Sequence, residues 1–471
     1  MSKKTLKNIS KGSYDEIQAQ ETMIPELLKS SIQETHFSNL DALAKKEIFE
    51  ENEAEVRSYC RNFPVIFTRA VGARLRDTDG NDYIDFLAGA GVMNYGHNNR
   101  AIKKKILEYI QADGLVHSLD LYTTAKYDFI ETLYEVILRP RKLDYKITFP
   151  GPTGTNAVET ALKFARKGTG RQNVVAFTNA FHGMTQGSLS LTGNRSKREG
   201  SGTVLTGVFR APYDGYFGKD FDSAAYLDKM LSDSSSGVDA PAAIIIETVQ
   251  AEGGLNTASF EWLKLMDRIA HKHGAMLIID DIQAGCGRTG TFFSFEGSGI
   301  NPDIVCLSKS IGGMGLPMSL VLFRPDLDVL EPGQHNGTFR GNNLAFIAAK
   351  AALDLWRDPE FEKGIQASCA TIFQRLEKIV KQYPMHGAHI RGRGMIIGIG
   401  WDDDTIASKV SKMAFQNRLI IETSGANDQV LKILPPLTIS KPGLKSGLDR
   451  LEASIAEVVS SKKLSTSGLV V

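Results

Sequence analysis

The sequence has few cysteines, almost no excess of charge and no long apolar run. No two of its four cysteines form a CxxC pair, and lysine plus arginine total 55 against 54 aspartates and glutamates. Scattered cysteines predict neither a disulfide framework nor a metal site, and they favour a reducing, cytoplasmic location. Near-neutral charge gives no indication of a nucleic acid or an anionic membrane as partner. No segment is apolar enough for a membrane span, and no apolar segment of a secretory signal follows the basic start.

What is present is an ordinary globular composition, with 42% apolar and 23% charged residues in 471. That length allows one large domain and a smaller one. Residues 1 to about 48 are polar, with possible helices at 24–32 and 42–53 and no recognisable chemistry. Segments 65–67, 73–76 and 82–87 then read as strands, and the turn residues between 77 and 81 make the last two a hairpin.

From about residue 100, helical and strand patterns alternate, which predicts a mostly parallel sheet covered by helices. Beyond about residue 345, two long helices precede a short α+β tail. The predicted helices are 101–110, 124–138, 157–167, 260–273, 344–356 and 361–383, and the predicted strands are 173–178, 242–247, 275–280, 304–307, 395–400 and 430–434.

One lysine stands out because it ends the apolar strand 304–307 and comes just before a glycine pair. Lys309 has two interpretations. Most lysines extend their ammonium into water, and in isolation that reading is the commoner one. A lysine in a semi-buried site lined by cations instead becomes a nucleophile that forms Schiff bases.

Asp280 ends the strand before that lysine, 309 − 280 = 29 residues earlier. Side chains alternate along a strand, so Asp280 and Ile282 share a face and Asp281 points away. A carboxylate at the end of a buried strand needs a cationic partner, and a protonated pyridine nitrogen would be one. If the two strands are adjacent and parallel, Asp280 and Lys309 lie at the same sheet edge.

Two further segments are compatible with a flat, anionic ligand. Residues 151–156 (GPTGTN) precede a helix, whose free N–H groups bind anions, although a plain N-capped helix has the same pattern. Phe181 follows the strand 173–178 and could stack on a ring or pack on the core. By contrast, the GxGxxG at 285–290 lacks the helix and the acidic residue that dinucleotide binding needs, so we reject that function.

Six segments in order carry a family resemblance: PTGTNAVETALKFAR, FHG, ETVQAEGG, IIDDIQAGCGRTG, LSKSIGG and NGTFRGNN. They resemble the fold-type I transaminases of the ornithine, acetylornithine and 4-aminobutyrate group, over about residues 55–440. Within that group, the chain is most similar to the diaminobutyrate–2-oxoglutarate transaminases. The segments that carry this closer resemblance are VRSYCRNFP, PYDGYFG, EPGQHNGTFRGNNLAF and RLIIETSG. The resemblance implies an α/β fold with a mostly parallel seven-stranded sheet. It also implies an extension (1–48), a large domain (101–345) and a small α+β domain from 49–100 and 346–471.

The resemblance also implies pyridoxal phosphate as cofactor, with Lys309 as its Schiff-base residue and Asp280 as partner of the pyridinium nitrogen. It implies a homodimer or higher homo-oligomer in which Thr338 reaches the phosphate of the neighbouring subunit. The other implied cofactor contacts are Gly154 and Thr155 at the phosphate, Phe181 and Ile282 on the two ring faces, and Gln283 near the ring hydroxyl.

The implied reaction exchanges an amine between L-glutamate and L-aspartate 4-semialdehyde, giving 2-oxoglutarate and L-2,4-diaminobutyrate by a ping-pong mechanism. The alternative is another ω-amino transaminase, acting on 4-aminobutyrate, ornithine or acetylornithine. Lys432 stands where ornithine-type enzymes carry an arginine for the substrate carboxylate, and it lacks the bidentate fork. Glu252 resembles the acid that masks this cation during the ω-amine half-reaction.

Overall fold

The computed structural model describes residues 42–466, with side chains placed from 46 to 460. The predicted helix at 24–32 lies outside this range, whereas the one at 42–53 is present as Ala42–Asn52. The regular α-helices are α1 (Ala42–Asn52), α2 (Tyr59–Asn62), α3 (Arg100–Gln111), α4 (Thr124–Thr132), α5 (Gly154–Thr169), α6 (Gln186–Leu191), α7 (Arg195–Arg198), α8 (Ser223–Ser232), α9 (Phe260–Lys272), α10 (Asn343–Leu353), α11 (Pro359–Gln382), α12 (Thr405–Gln416) and α13 (Lys441–Thr466). The four-residue segment Ala88–Gly91 is a further helical turn, with left-handed φ at Gly89 and Ala90.

Three sheets and one two-stranded ribbon account for the strands of the described residues. The ribbon pairs β8 with β9. The strands are β1 (Phe67–Val71), β2 (Arg74–Asp77), β3 (Asp82–Asp85), β4 (Lys146–Thr148), β5 (Val174–Phe177), β6 (Val208–Ala211), β7 (Ala243–Ile246), β8 (Val249–Gln250), β9 (Asn256–Thr257), β10 (Met276–Asp280), β11 (Ile304–Leu307), β12 (Leu320–Phe323), β13 (His389–Arg393), β14 (Ile396–Gly400), β15 (Leu419–Ile420), β16 (Glu422–Ser424) and β17 (Val430–Ile433).

The central sheet has seven strands in the order β4-β12-β11-β10-β7-β5-β6. Only β12 runs against the others, because it pairs antiparallel with both β11 and β4. The prediction of a mostly parallel, seven-stranded sheet is confirmed. β4, β6 and β12 were not predicted from their sequences. β4 has only three residues, too few for a clear apolar pattern.

Strands β5, β7, β10 and β11 are buried along their whole length, so both faces of the sheet must be covered. On one side, Ala161, Leu162 and Ala165 of α5 pack against Val174 and Ile278. On the other, a larger cluster joins Trp262 and Met266 of α9 to Phe346 of α10. The layers hold the carboxyl ends of the parallel strands in fixed register, and the site described below lies there.

A second, smaller unit combines N-terminal and C-terminal segments of the chain. β15 near the C-terminus pairs parallel with β3, which extends the N-terminal sheet to the order β1-β2-β3-β15. The antiparallel sheet β13-β14-β17-β16 lies wholly in the C-terminal part. A separate core cluster, including Phe86, Trp401 and Leu451, packs under both. A small α+β unit from N- and C-terminal segments is therefore present, although the exact domain limits stay a prediction.

Some predicted elements differ in detail. The strand predicted at 65–67 begins at Phe67, and the helix predicted at 124–138 changes at Leu133 into a π-helical turn that ends at Leu138. A short π-helical turn of this kind does not change the spacing of apolar residues enough to be predicted from the sequence. No helix among residues 42–466 is long and apolar enough to cross a membrane.

The GxGxxG segment has a packing role. Gly287 has a φ of +100°, and a Cβ there would lie 2.6 Å from Leu437 and 3.0 Å from Trp356. The next residue, Arg288, is fully buried and donates to the carbonyl of Pro435. A glycine is required because two domains meet at this backbone. No α-helix follows the segment, as its rejection as a dinucleotide loop assumed.

Candidate active site

Asp280 and Lys309 lie at the same edge of the central sheet. β10 and β11 are adjacent and parallel, with Asp280 opposite Cys306, three residues before Lys309. Both side chains line one cavity. The backbone of Lys309 has a φ of +52°, in the left-handed region that non-glycine residues rarely adopt. Such conformations are held only where the surroundings determine them, and they concentrate at functional sites.

The cavity gathers most of the residues that the sequence pointed to. Thr338 and Lys432 are not among its lining residues. The predicted residues that line it are Gly154, Thr155, Phe181, Glu252, Asp280, Ile282, Gln283 and Lys309, and the structure adds His182, Gly183, Glu247, Val249 and Ala284.

Asp280 is held by a buried histidine that the sequence did not single out. His182 Nδ1 lies 2.7 Å from Asp280 Oδ2, and the histidine side chain is fully buried. The other carboxylate oxygen accepts from the backbone N–H of Ile282 at 3.2 Å. Each oxygen keeps a lone pair for one more donor. Asp281 points away, as predicted, and accepts from the N–H of Ser294 at 3.1 Å.

The surroundings of Lys309 favour loss of a proton from its ammonium group. Burial lowers the pKa of its ammonium below the ordinary value, Glu252 opposes that shift, and the charge of Lys432 adds to it. An amine with a lowered pKa is a better nucleophile and a better base at neutral pH. These are the properties expected of the Schiff-base interpretation and not of a solvent-exposed lysine.

The start of α5 forms the anion-binding end. Asn156 Oδ1 accepts from the hydroxyl of Thr153 at 2.7 Å and from its N–H at 3.3 Å, which fixes the first turn. The Thr155 hydroxyl lies 2.6 Å from that of Thr185 and also contacts Ser188. A Cβ on Gly154 would lie 3.1 Å from Ile282, so the helix start packs closely on the strand end. Gly154 and Thr155 line the cavity, so the N–H groups of the helix start are available there to bind an anion.

At the other end, Glu252 and Lys432 form an ion pair, with Lys432 Nζ 2.7 Å from Glu252 Oε1. Lys432 is fully buried and also lies 3.0 Å from Glu422 Oε1. Glu252 lines the cavity and Lys432 does not, so the Glu252 carboxylate lies between the cavity and the Lys432 ammonium. Burial is the largest single influence on the Glu252 carboxyl and by itself raises its pKa. The combined attraction of Lys432 and Lys309 outweighs burial and lowers the pKa to about 2.

Thr338 belongs to an exposed loop outside this cavity. Its carbonyl oxygen lies 2.7 Å from His117 Nε2, and the neighbouring Phe339 is 67% exposed. The contact of Thr338 with a neighbouring subunit therefore stays a prediction.

Three functional candidates escaped the sequence reading: His182, Glu247 and Glu422. His182 stands in the motif FHG, but only the paired strands show that it reaches Asp280. Glu247 Oε1 accepts from the N–H of Phe181 at 2.9 Å, and burial with repulsion from Asp280 raises the pKa of its carboxyl well above the ordinary range. Glu247 ends the predicted strand 242–247 and begins the motif ETVQAEGG, and either observation could have singled it out.

The arrangement fits pyridoxal phosphate. Asp280 offers a buried carboxylate with accepting capacity left, which suits a protonated ring nitrogen. The N-terminus of α5 suits a phosphate, and Lys309 supplies the amine between them. Phe181 and Ile282 line the same cavity and provide the apolar faces for a flat ring. Among the described residues, no cluster of histidine, cysteine and acidic side chains could hold a metal ion.

Comparison with known proteins agrees with this geometry. The sequence profile of the family "Aminotransferase class-III" matches residues 56–455. The chain is 55% identical to a diaminobutyrate–2-oxoglutarate transaminase of Halalkalibacterium halodurans, over 88% of this chain and 98% of that one. It is 56% identical to the protein of that name from Virgibacillus pantothenticus, over 88% and 99%.

Solved structures show the same fold. The ornithine aminotransferase of Toxoplasma gondii superposes with a TM-score of 0.80 at 25% identity, over 90% of this chain and 97% of that one. An S-selective transaminase from Arthrobacter sp. also gives 0.80, at 22% identity, over 90% and 99%.

Proposed function

Because the chain belongs to the class-III aminotransferases, we propose that it transfers an amine between L-glutamate and L-aspartate 4-semialdehyde. The products are 2-oxoglutarate and L-2,4-diaminobutyrate. Lys309 and Asp280 face one cavity at the edge of neighbouring parallel strands, and this observation carries the proposal. The names of relatives at 50–56% identity agree with the predicted substrate pair.

Pyridoxal phosphate, when bound, supplies the electron sink for the carbanion that the substrate forms. The residues of this chain do the rest. Asp280 would accept the N–H of the bound ring and keep that nitrogen protonated. His182 Nδ1, 2.7 Å from Asp280 Oδ2, holds the carboxylate in place. The Lys309 amine takes a proton from the amine-bearing carbon of the substrate as a general base and returns one as a general acid.

The two half-reactions put different demands on the cation at the substrate end. Glutamate reacts through its α-amine and presents the α-carboxylate beside it, which Lys432 can bind once Glu252 turns aside. Diaminobutyrate reacts through its γ-amine and presents no carboxylate there. Glu252 then stays on Lys432, at the 2.7 Å contact of this structure, and cancels its charge. A single cavity thereby accepts both an α-amine and an ω-amine.

The active unit in this proposal is a homodimer or a higher homo-oligomer. Thr338 lies outside the cavity of its own chain, on a loop with the exposed Phe339. In a dimer with this loop at the interface, Thr338 contacts the phosphate in the neighbouring site. A crystal structure of the dimer tests this, because a Thr338 hydroxyl nearer to the phosphate of its own chain would contradict the arrangement.

The function itself is tested with the purified holoenzyme. An absorption band of the bound cofactor should shift on addition of glutamate, and no chromophore at all would contradict the proposal. A panel of amino donors with 2-oxoglutarate then ranks diaminobutyrate, ornithine, acetylornithine and 4-aminobutyrate. Diaminobutyrate should have the highest kcat/KM. A higher value for one of the other donors would replace the substrate and leave the reaction class intact.

A further inference from the structure

Lys432 has a second acidic partner, and this partner lies deeper than the first. Glu422 Oε1 is 3.0 Å from Lys432 Nζ, against 2.7 Å for Glu252 Oε1. The side chain of Glu422 is 6% exposed and that of Glu252 is 34% exposed. The buried ammonium therefore lies between one carboxylate that reaches the cavity and one that is enclosed.

Glu422 and Lys432 are fixed to each other by the sheet. They face one another directly on the antiparallel strands β16 and β17. Such cross-strand pairs keep their Cβ atoms about 4.5–5.5 Å apart whatever the rest of the molecule does. Glu252 comes from a loop of the other domain, 180 residues from Lys432 in sequence. Of the two acids, only Glu422 belongs to the same rigid element as the cation.

The loop of Glu252 is clamped by the same strand. The Ser424 hydroxyl donates to the carbonyl of Ala251 at 2.5 Å and accepts from the N–H of Gly254 at 3.1 Å. The N–H of Gly425 donates to the carbonyl of Glu252 itself at 3.1 Å. With its backbone held on both sides, Glu252 can leave Lys432 only by rotation of its side chain. The cation stays where it is, with Glu422 as its remaining partner.

We propose that Glu422 is a positioning residue for the substrate carboxylate, because it keeps the Lys432 ammonium charged and in place while Glu252 has turned away. This inference rests on the proposed gate. A lysine offers three donors from one nitrogen and no rigid fork. The 3.0 Å ion-pair contact with Glu422 holds the ammonium in place, and its N–H donors stay available for Glu252 or for the incoming carboxylate.

The charges around Lys432 favour this exchange. Burial would lower the pKa of its ammonium, but Glu252 and Glu422 outweigh burial and raise it. Burial raises the pKa of the Glu422 carboxyl, Lys432 opposes that rise, and Glu252 adds to it. Departure of Glu252 therefore makes Glu422 a stronger counter-ion. The other titratable groups nearby are Tyr59, whose hydroxyl donates to Glu422 Oε2 at 3.4 Å, and Lys309.

The test is the affinity of the holoenzyme for glutarate, a dicarboxylate without an amine, measured by calorimetry between about pH 8 and about pH 11. Glu422→Gln keeps an acceptor and removes the charge. Because an opposite charge within reach shifts a pKa by about 1–3 units, Lys432 should lose its proton at a lower pH in this variant. We expect glutarate affinity to fall about tenfold more than in the parent over that range, since one pKa unit is a factor of ten.

Thr423→Ala is the matched control, because the Thr423 hydroxyl bonds to Asp428 on the other face of β16. Its titration should follow the parent. Parallel curves for the parent and Glu422→Gln would overturn the inference. A crystal structure of the parent with glutarate gives a second test that needs no variant: Lys432 should keep its Glu422 contact with Glu252 turned away, and separation of that pair would also overturn the inference. Absence of diaminobutyrate transamination in the parent would instead contradict the proposed function.

Discussion

The two ends of the cavity hold their charges in different ways. At the cofactor end, Asp280 and Lys309 stand on adjacent strands of one buried sheet, and His182 fixes the carboxylate. At the substrate end, Lys432 stands on the small sheet and its partly exposed partner Glu252 on the large domain. The first end is set by one rigid layer, the second by ion pairs across two units. The groups that both half-reactions use thus belong to one buried sheet. The groups that discriminate between substrates include Glu252, whose side chain can rotate away from Lys432.

The largest expected effect comes from removal of the amine at the rigid end. Lys309→Ala should lower steady-state transamination by at least about 10⁴-fold, the upper range for loss of a general acid–base group. No other amine among the lining residues could replace it. Lys264→Ala, at an exposed lysine of α9, is the control and should match the parent. Steady-state turnover by the Lys309 variant would break the assignment of this end as catalytic.

Asp280→Asn tests the charge at the same end without a change of shape. A neutral amide does not keep the ring nitrogen protonated, so activity should fall roughly 10²–10³-fold, or about 3–4 kcal/mol of barrier. The amide oxygen can still accept from His182, so the fold should persist, as circular dichroism can verify. Asp281→Asn, on the opposite face of the strand, is the control. Activity within about tenfold of the parent, or 1.4 kcal/mol of barrier, would exclude Asp280 as the ring partner.

Glu252→Ala sharpens the contrast at the switchable end. The variant leaves Lys432 unmasked in both half-reactions, so glutamate should react as well as before or better. Diaminobutyrate should react more slowly, because an uncompensated cation faces a substrate that carries an ammonium. Single-turnover mixing follows each half-reaction alone. The ratio of the two rates should shift toward glutamate by about tenfold, or 1.4 kcal/mol. Equal losses in both would mean that Glu252 only supports the structure.

The same contrast decides how much the sequence could predict. Short apolar runs that alternate with helices predict a mostly parallel sheet, and Asp280 and Lys309 share its edge on the condition that their strands are neighbours. The structure meets that condition, whereas the order of the seven strands was not predicted. The family resemblance added Glu252 and Lys432 but not Glu422. Cross-strand pairing of β16 with β17 depends on register, which periodicity does not determine for strands of three and four residues. His182 was missed for a similar reason, since a loop histidine shows its partner only when the strand ends are in place.

The smallest expected effect concerns the far face of the rigid end, where Asp281 is buried beneath the same strand. Burial is the main cause that raises the pKa of its carboxyl to about 7, with repulsion from Asp280 adding to it and hydrogen bonds from Ser294 opposing it. In the unfolded chain an aspartate has a pKa of about 3.9, so between about pH 4 and about pH 7 the folded state binds more protons. Folding is therefore progressively destabilised as the pH rises through this window.

Asp281→Asn removes the ionisation and mimics the protonated acid. The Tm of the variant minus the Tm of the parent should be larger at pH 8 than at pH 5. The increase should be about 3 °C or more for each few kcal/mol by which ionisation of Asp281 destabilises the parent, in a chain of this size. Scanning calorimetry of both proteins at the two pH values measures the difference directly. If the Tm difference is the same at both pH values, the folded protein does not keep the Asp281 carboxyl protonated. A charged Asp281 next to Asp280 would then cost less stability than its burial implies.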